Sequence, residues 1–221
     1  MHTRRSLVNA GRWPNPQDLM VNIGLLVLDR TAWARVAEDP AAFAVEHALT
    51  LGVEPDLLRA VGQQTVAMLQ RTGATTPWTG YLAVDRAHQI IVGTCGFTAP
   101  PDPKGVVEIA YFTFPPFEGR GYASAMAAGL VDLAEGTAGI RRVRAHTLPE
   151  GNASTRILEK LGFERTGETI DPEAGQVWCW ERDPAVHRSQ QQSGPLTSAA
   201  ADVARCDHDA PRLKPNVDRP E

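Results

Sequence analysis

The chain has 221 residues, of which 43% are hydrophobic and 22% are charged, and its formal net charge is −4. These values are ordinary for a soluble globular protein, and the length is sufficient for one well-buried core. Nucleic-acid-binding proteins usually carry a basic face or stripe, which this sequence lacks, so we expect no nucleic-acid partner. A membrane-spanning helix needs about 18 apolar residues in a row, which no segment supplies, so we expect no membrane partner.

The first part of the sequence predicts an arm, a strand and two helical regions. Residues 1–17 are polar and contain two prolines, which predicts a loose N-terminal arm. The apolar run 19–28 is rich in Val, Ile and Leu and predicts the first strand. An alanine-rich helical pattern follows over 31–47, broken at Asp39-Pro40, and a second helix is predicted from Pro55 to Gly73.

The rest of the sequence predicts alternating strands and helices, and then a tail. The predicted segments are strands at 81–85, 90–98 and 106–114, a helix at 120–136, a strand at 142–148, a helix at 152–161, and strands at 163–169 and 176–181. Beyond these the chain is rich in Ser, Gln and Pro and too poor in apolar groups to offset its ordering entropy. We therefore predict one α+β domain over 18–183 and a disordered C-terminal tail over 184–221.

The three cysteines, Cys95, Cys179 and Cys206, are widely and irregularly spaced. An odd number at such spacing is typical neither of a disulfide framework nor of a zinc site. We therefore expect no bound metal and a reducing, cytoplasmic location.

The most informative stretch, residues 107–123, predicts a strand, a proline-bounded turn and the start of a helix. Gly119 and Gly121 would let the backbone approach a ligand closely. The N-terminus of the following helix offers unpaired N–H groups that suit a pyrophosphate. The glycines could instead only shape the turn. The pattern is not a dinucleotide-binding fingerprint, because Ser124 occupies the position of its third glycine, and it lacks the Gly-Lys-Ser/Thr of a phosphate-binding loop.

This stretch resembles the acetyl-CoA loop of the GNAT superfamily, Gln/Arg-x-x-Gly-x-Gly/Ala, which here is Glu118-x-x-Gly121-x-Ala123. Glu118 replaces the usual Gln or Arg, but in the family backbone amides hold most of the pyrophosphate. Residues 145–163 resemble the later strand–helix–strand segment of the same family. Within that segment, 152–163 looks most like the Rim-type branch, which acetylates the N-termini of ribosomal proteins.

The resemblance implies an α+β fold with a mixed, mostly antiparallel central sheet flanked by helices. It also implies that the sheet splays between the strands at 106–114 and 142–148 to hold acetyl-CoA, whose pantetheine arm pairs with the first of these strands. The implied acetyl-CoA-binding residues are Ile109, Tyr111, Thr113, Gly119, Arg120, Gly121, Tyr122, Ala123 and Asn152. Asn152 is in addition a favoured residue for capping the helix that it precedes.

The implied reaction is direct transfer of acetyl from acetyl-CoA to a primary amine, either a protein N-terminus or a small amine. Acceptor specificity is expected in the loops around 31–56 and 165–176. The chain is compatible with a homodimer. Two alternatives remain: a CoA-binding regulatory module without catalysis, and an adaptor whose disordered tail recruits partners.

Two residues are candidates for the group that removes the proton from the amine. Glu108 lies in Glu-Ile-Ala-Tyr, similar to the Glu-Val-Ala-Phe that carries the base in the histone-acetylating branch. An exposed or structurally paired carboxylate is the alternative. His146 is the second candidate, because imidazole changes its charge near neutral pH, although a strand histidine is often simply half buried.

The group that protonates the leaving thiolate is left open by the sequence. Many GNAT enzymes carry a tyrosine for this purpose at the position that Leu158 occupies here. Ser154 or a water molecule could take this role, and a thiolate is also a fair leaving group without help. We therefore name Ser154, with Glu108, as a candidate catalytic residue.

Overall fold

The computed structural model describes residues 21–172 and 174–184. The predicted arm at 1–17 lies outside the described residues, and so does the predicted tail over 184–221 except for its first residue. The described chain forms eight strands and five α-helices: β1 Ile23–Val27, α1 Arg30–Glu38, α2 Pro40–Glu46, β2 Thr50–Leu51, α3 Pro55–Thr72, β3 Gly80–Asp85, β4 Ile90–Phe97, β5 Val106–Thr113, α4 Tyr122–Glu135, β6 Arg142–Thr147, α5 Ala153–Lys160, β7 Glu164–Asp171 and β8 Gly175–Arg182.

All eight strands belong to one sheet. Seven of them follow the order β1-β3-β4-β5-β6-β8-β7, and the short β2 pairs with β4. The β2–β4 and β5–β6 pairs are parallel, and all the other neighbours are antiparallel. Parallel neighbours need a long crossover connection, and α4 provides it between β5 and β6. The predicted α+β fold with a mixed, mostly antiparallel sheet is therefore confirmed.

Two hydrophobic clusters lie on opposite faces of the sheet. Tyr81 and Ala83 of β3 belong to the cluster that contains the buried side of α4. Leu82 and Val84 belong to the cluster that contains residues of α1, α2 and α3. Since successive side chains of a strand point to opposite faces, α4 covers one face of the sheet and α1 to α3 cover the other.

Local sequence signals explain where several helices begin and end. The carboxylate of Asp39 accepts hydrogen bonds from two backbone amides of α2, and Pro40 is the first residue of that helix. The predicted break at this point is confirmed. Helix α3 begins at Pro55 and is terminated by Gly73, whose φ of 67° is the left-handed conformation that glycine adopts readily.

The structure also corrects some predicted boundaries. The helix predicted from residue 120 begins at Tyr122, after a turn of 3₁₀ helix at Pro115–Phe117. Strand β2 was not predicted, because two residues are too few for a periodic pattern. The strands predicted from residue 81 onward agree with the structure to within two residues at each end. In the part of the chain that the structure describes, no helix is long and apolar enough to span a membrane.

Candidate active site

The sheet opens between β5 and β6. Their parallel pairing consists of three residue pairs, the last of which joins Glu108 to Arg144. Beyond this point β5 continues to Thr113 and pairs with β4 alone. The opening lies between the two strands at which the family resemblance implied it.

The free edge of β5 presents polar backbone groups to this opening. The carbonyl oxygen of Glu108 and the N–H of Phe114 each form a 3.0 Å hydrogen bond to the backbone of the 92–98 segment. Because successive residues direct their backbone groups to alternate sides of a strand, the odd-numbered residues face the opening. These residues are Ile109, Tyr111 and Thr113, all three predicted to bind acetyl-CoA. Such an edge can pair with an extended ligand that contains amides.

The loop after β5 leads into the N-terminus of α4. Gly119 and Gly121 have φ values of 71° and 87°, a region that residues with a side chain rarely adopt. Gly121 precedes the first residue of α4, and no side chain of the described residues caps this helix end. The first N–H groups of α4, which include that of Ala123, can therefore bind an anion. The guanidinium of Arg120 lies 5.7 Å from the ring centre of Phe117, within the same loop.

Tyr122 anchors the start of α4 to the end of β3. Its hydroxyl donates a 2.6 Å hydrogen bond to Asp85, and Nδ1 of His88 lies 3.1 Å from the same carboxylate oxygen. Burial would raise the pKa of Asp85, but hydrogen bonds from Tyr122, from His88 and from two backbone amides lower it overall. Burial and Asp85 raise the pKa of Tyr122 to about 12. The side chain of Tyr122 is thus used for anchoring, which leaves its backbone for a ligand.

We expect Tyr122→Phe to lower the free energy of unfolding by about 1.5–3 kcal/mol at neutral pH, because a hydrogen bond to a charged group is lost. The folded-state pKa of Asp85 lies below its unfolded value. This stabilisation is therefore complete above the unfolded pKa of about 3.9 and disappears as the pH falls through the folded value. Denaturant unfolding of both proteins across this range measures it, and a difference independent of pH would contradict the assignment.

Glu108 and His146 meet where the opening begins. Nδ1 of His146 lies 3.2 Å from Oε1 of Glu108, and the two side chains are 22% and 30% exposed. Arg144, which is opposite Glu108 in the strand register, instead forms an ion pair of 2.7 Å with Glu181. The two alternative proton acceptors of the sequence analysis therefore form one carboxylate–imidazole pair.

A cleft of about 780 Å³ lies on the same face of the sheet as Glu108. Its lining includes Gln64, Met68, Arg71, Glu108, Phe112 and Asp171. The sequence analysis expected acceptor residues in the loops around 31–56 and 165–176, and it did not name α3, which also lines this cleft. The spacing of Gln64, Met68 and Arg71 does place them on one helix face, but the same spacing is typical of any amphipathic helix.

The opposite face of β5 carries two hydroxyl groups, those of Tyr111 and Thr113. Both are buried, and neither has a hydrogen-bond partner among the described residues. Burial raises the pKa of Tyr111, whereas the neighbouring Ser154 lowers it. Buried polar groups without partners are uncommon, and these two fit a polar ligand in the opening.

The remaining residues that the sequence analysis singled out lie in helix α5 or at its N-terminus. The side chain of Asn152 accepts a 3.0 Å hydrogen bond from the backbone N–H of Thr155, whose hydroxyl accepts one from the backbone N–H of Asn152. This capping box explains Asn152 without a ligand. Leu158 is fully buried in the core, so the position at which many GNAT enzymes have a tyrosine carries no polar group here. Among residues 21–172 and 174–184, no cluster of three His, Cys, Asp or Glu side chains could hold a metal ion.

A family model identifies the class of protein that this fold and site define. Residues 23–164 match the model described as an acetyltransferase (GNAT) domain, and the chain belongs to this family.

Two curated relatives come from Bacillus species. The chain is 29% identical over 96 residues to the uncharacterized N-acetyltransferase YjdG of Bacillus subtilis, a match that covers 43% of this chain and 57% of YjdG. It is 31% identical over 83 residues to the uncharacterized N-acetyltransferase p20 of Bacillus licheniformis, with 38% of this chain and 47% of that protein covered. The chain thus spans about half the length of the curated relatives that it matches.

Solved structures share the fold at low sequence identity. Aminoglycoside acetyltransferase AAC(6')-Ib in complex with coenzyme A has a TM-score of 0.55 at 17% identity and covers 77% of this chain and 99% of its own. The ribosomal L7/L12 alpha-N-protein acetyltransferase RimL has a TM-score of 0.51 at 17% identity, and the match covers 75% of this chain and 97% of RimL. A dodecameric spermidine N-acetyltransferase from Vibrio cholerae has a TM-score of 0.52 at 11% identity, and the match covers 76% of this chain and 97% of that enzyme. These similar scores do not distinguish the Rim-type branch from the others.

Proposed function

We propose that the protein is an N-acetyltransferase that transfers acetyl directly from acetyl-CoA to a primary amine. The observation that carries this proposal is the continuous segment from β5 to α4. It combines a free strand edge with a glycine-shaped helix N-terminus, and its Glu108 pairs with His146 of β6 at the mouth of the opening. Family membership supports the reaction class, and this segment supplies the groups that the reaction needs.

The donor, acetyl-CoA, would be held mainly by backbone. The outward-facing groups of Ile109, Tyr111 and Thr113 would pair with the amides of its pantetheine arm. The N–H groups from Gly119 to Ala123 would bind the pyrophosphate, since a helix N-terminus favours negative charge. The buried, unpartnered hydroxyl groups of β5 support the presence of a polar ligand at this place.

The acceptor ammonium must lose a proton before its nitrogen can attack the acetyl carbonyl carbon. Glu108 lines the cleft and contacts His146, so the proton would leave through this pair. As the C–N bond forms, the C–S bond breaks and its electron pair stays on sulfur. Ser154 is our candidate for the hydroxyl group that stabilises this thiolate.

Two classes of acceptor are supported by different observations. The resemblance of residues 152–163 to the Rim-type branch supports a protein N-terminus. The cleft of about 780 Å³ is within the usual size range of small-molecule sites and supports a small amine.

Two separate measurements test the proposal. Acetyl-CoA should raise the melting temperature, because a ligand that binds only the native state stabilises it. Screening a panel of small amines and N-terminal peptides, with the release of free thiol as the measured signal, should identify an acceptor. Binding of acetyl-CoA without turnover of any amine would favour a non-catalytic CoA-binding module. The absence of binding would contradict both functions.

A further inference from the structure

Four charged residues form a row across neighbouring strands of the sheet. Glu108 of β5 is opposite Arg144 of β6, Arg144 is opposite Glu181 of β8, and Glu181 is opposite Glu164 of β7. Neighbouring strands lie about 4.8 Å apart, and directly opposite residues point to the same face of a sheet. Arg144 therefore lies between two carboxylates, those of Glu108 and Glu181, and its long side chain can pair with either of them.

Arg144 pairs with Glu181 and not with Glu108. Its Nε and Nη2 donate hydrogen bonds of 3.1 and 2.7 Å to Oε1 of Glu181, and Nη1 of Arg142 donates one of 2.9 Å to Oε2. The Glu181 side chain is only 15% exposed, so solvent screens these ion pairs only in part. Oε1 of Glu108 lies 3.2 Å from Nδ1 of His146. Both oxygens of Glu181 are thus used to hold arginines.

The choice that Arg144 makes between the two carboxylates matters for proton transfer. An arginine beside a carboxylate favours the charged form of that carboxylate and makes it a weaker base. A weaker base removes the proton of the acceptor ammonium more slowly. Two parallel hydrogen bonds from Arg144 would also occupy both oxygens of Glu108, including the one that now faces His146.

Other titratable groups also surround Glu108, but Arg144 is the arginine at its register position. On the neighbouring strands they are His146 of β6 and Cys179 of β8, which are opposite each other. Across the cleft they are Arg71 of α3 and Asp171 of β7. The carboxylate of Asp171 accepts a 2.8 Å hydrogen bond from the backbone N–H of Ala174 in the β7–β8 turn.

We propose that Glu181 is a positioning residue, which holds Arg144 away from Glu108 and so keeps Glu108, beside His146, free to accept the proton of the amine. The inference rests on the proposed function. Glu181 itself gains and loses no proton in the reaction, and it acts only through the side chain of Arg144. A purely structural Glu181, which only ties β6 to β8, would affect stability but not the pH dependence of the rate.

The test compares Glu181→Gln with the double variant Glu181→Gln/Arg144→Met. Glutamine keeps the shape of the side chain but not its charge, so Arg144 should turn to Glu108. We expect kcat for amine acetylation to fall about 10-fold, a smaller loss than removal of the base itself. The acidic limb of the pH–rate profile should move to lower pH, because a weaker base becomes protonated only at lower pH. Arg144→Met removes the competing cation, so the double variant should regain most of the lost rate and the original profile.

Glu135→Gln is the matched control. Glu135 forms an ion pair of 2.7 Å with Arg182, and its side chain is 14% exposed, nearly as much as that of Glu181. It lies at the C-terminal end of α4, away from the proposed site. Loss of either ion pair should lower the melting temperature, because each leaves a partly buried arginine without its partner. Only Glu181→Gln should change kcat and the pH–rate profile.

Two results would overturn this inference. One is a Glu181→Gln variant with the kcat and the pH–rate profile of the unmodified protein. The other is a loss of activity that Arg144→Met does not restore, since Glu181 would then be structural. If Glu181→Gln does not fold, Glu181→Asp, whose shorter side chain loosens the hold on Arg144, is compared with and without Arg144→Met in the same way. An unmodified protein that turns over no amine would contradict the proposed function itself, which the same assays show separately.

Discussion

We expect Glu108→Gln to lower kcat for amine acetylation by about 10²-fold or more, which is the usual loss when a general base is removed. Glutamine keeps the shape of the side chain and its place beside His146, but it cannot accept the proton of the acceptor. Acetyl-CoA affinity should change little, because the donor is proposed to bind through backbone groups. Steady-state kinetics and a thermal-shift titration measure the two quantities independently.

The pH dependence of this variant is a further part of the prediction. At higher pH a larger fraction of the amine is already neutral, so the deficit of Glu108→Gln should shrink. Glu164→Gln is a matched control, since Glu164 is an exposed carboxylate at the start of β7, away from the cleft. A Glu108→Gln variant with normal rates at neutral pH would show that Glu108 is structural, and His146 would be the next residue to test.

Gly121→Val should abolish the rise in melting temperature that acetyl-CoA causes. The valine side chain would project where the phosphates are proposed to approach the N-terminus of α4. The free protein should also lose stability, because φ at this position is 87° and an added Cβ would lie 3.1 Å from Val21. Gly121→Ala is the milder variant, with less strain and a weakened response to acetyl-CoA.

Gly139→Val is the matched control for Gly121→Val. It shows whether a lost response to acetyl-CoA comes from backbone strain alone or from obstruction of the ligand. Gly139 has a φ of 90°, nearly that of Gly121, and an added Cβ there would meet no atom within 4 Å. It lies in the connection between α4 and β6, outside the proposed donor site. This variant should lose comparable stability and still respond to acetyl-CoA. If acetyl-CoA still raised the melting temperature of Gly121→Val normally, the loop at 119–121 would not be part of the acetyl-CoA site.

Apart from the two-residue strand β2, the sequence by itself determined the succession of helices and strands from about residue 31 onward. Asp39-Pro40, Pro55 and Gly73 act on their own neighbours through capping and through restricted φ angles, so their effect is visible without tertiary contacts. The glycine-shaped loop at 119–121 was recognised for the same reason. The family resemblance also points to Glu108 and Ser154, but the sequence assigns neither of them a partner or an orientation.

Only the tertiary structure decided which of these side chains meet. The contact of Glu108 with His146 depends on the register of β5 against β6, and a shift of one residue would turn His146 to the opposite face of the sheet. The cleft beside Glu108 depends in addition on how α3 packs against the sheet. Strand register and helix packing are set by burial of the whole core, which no local pattern in the sequence encodes.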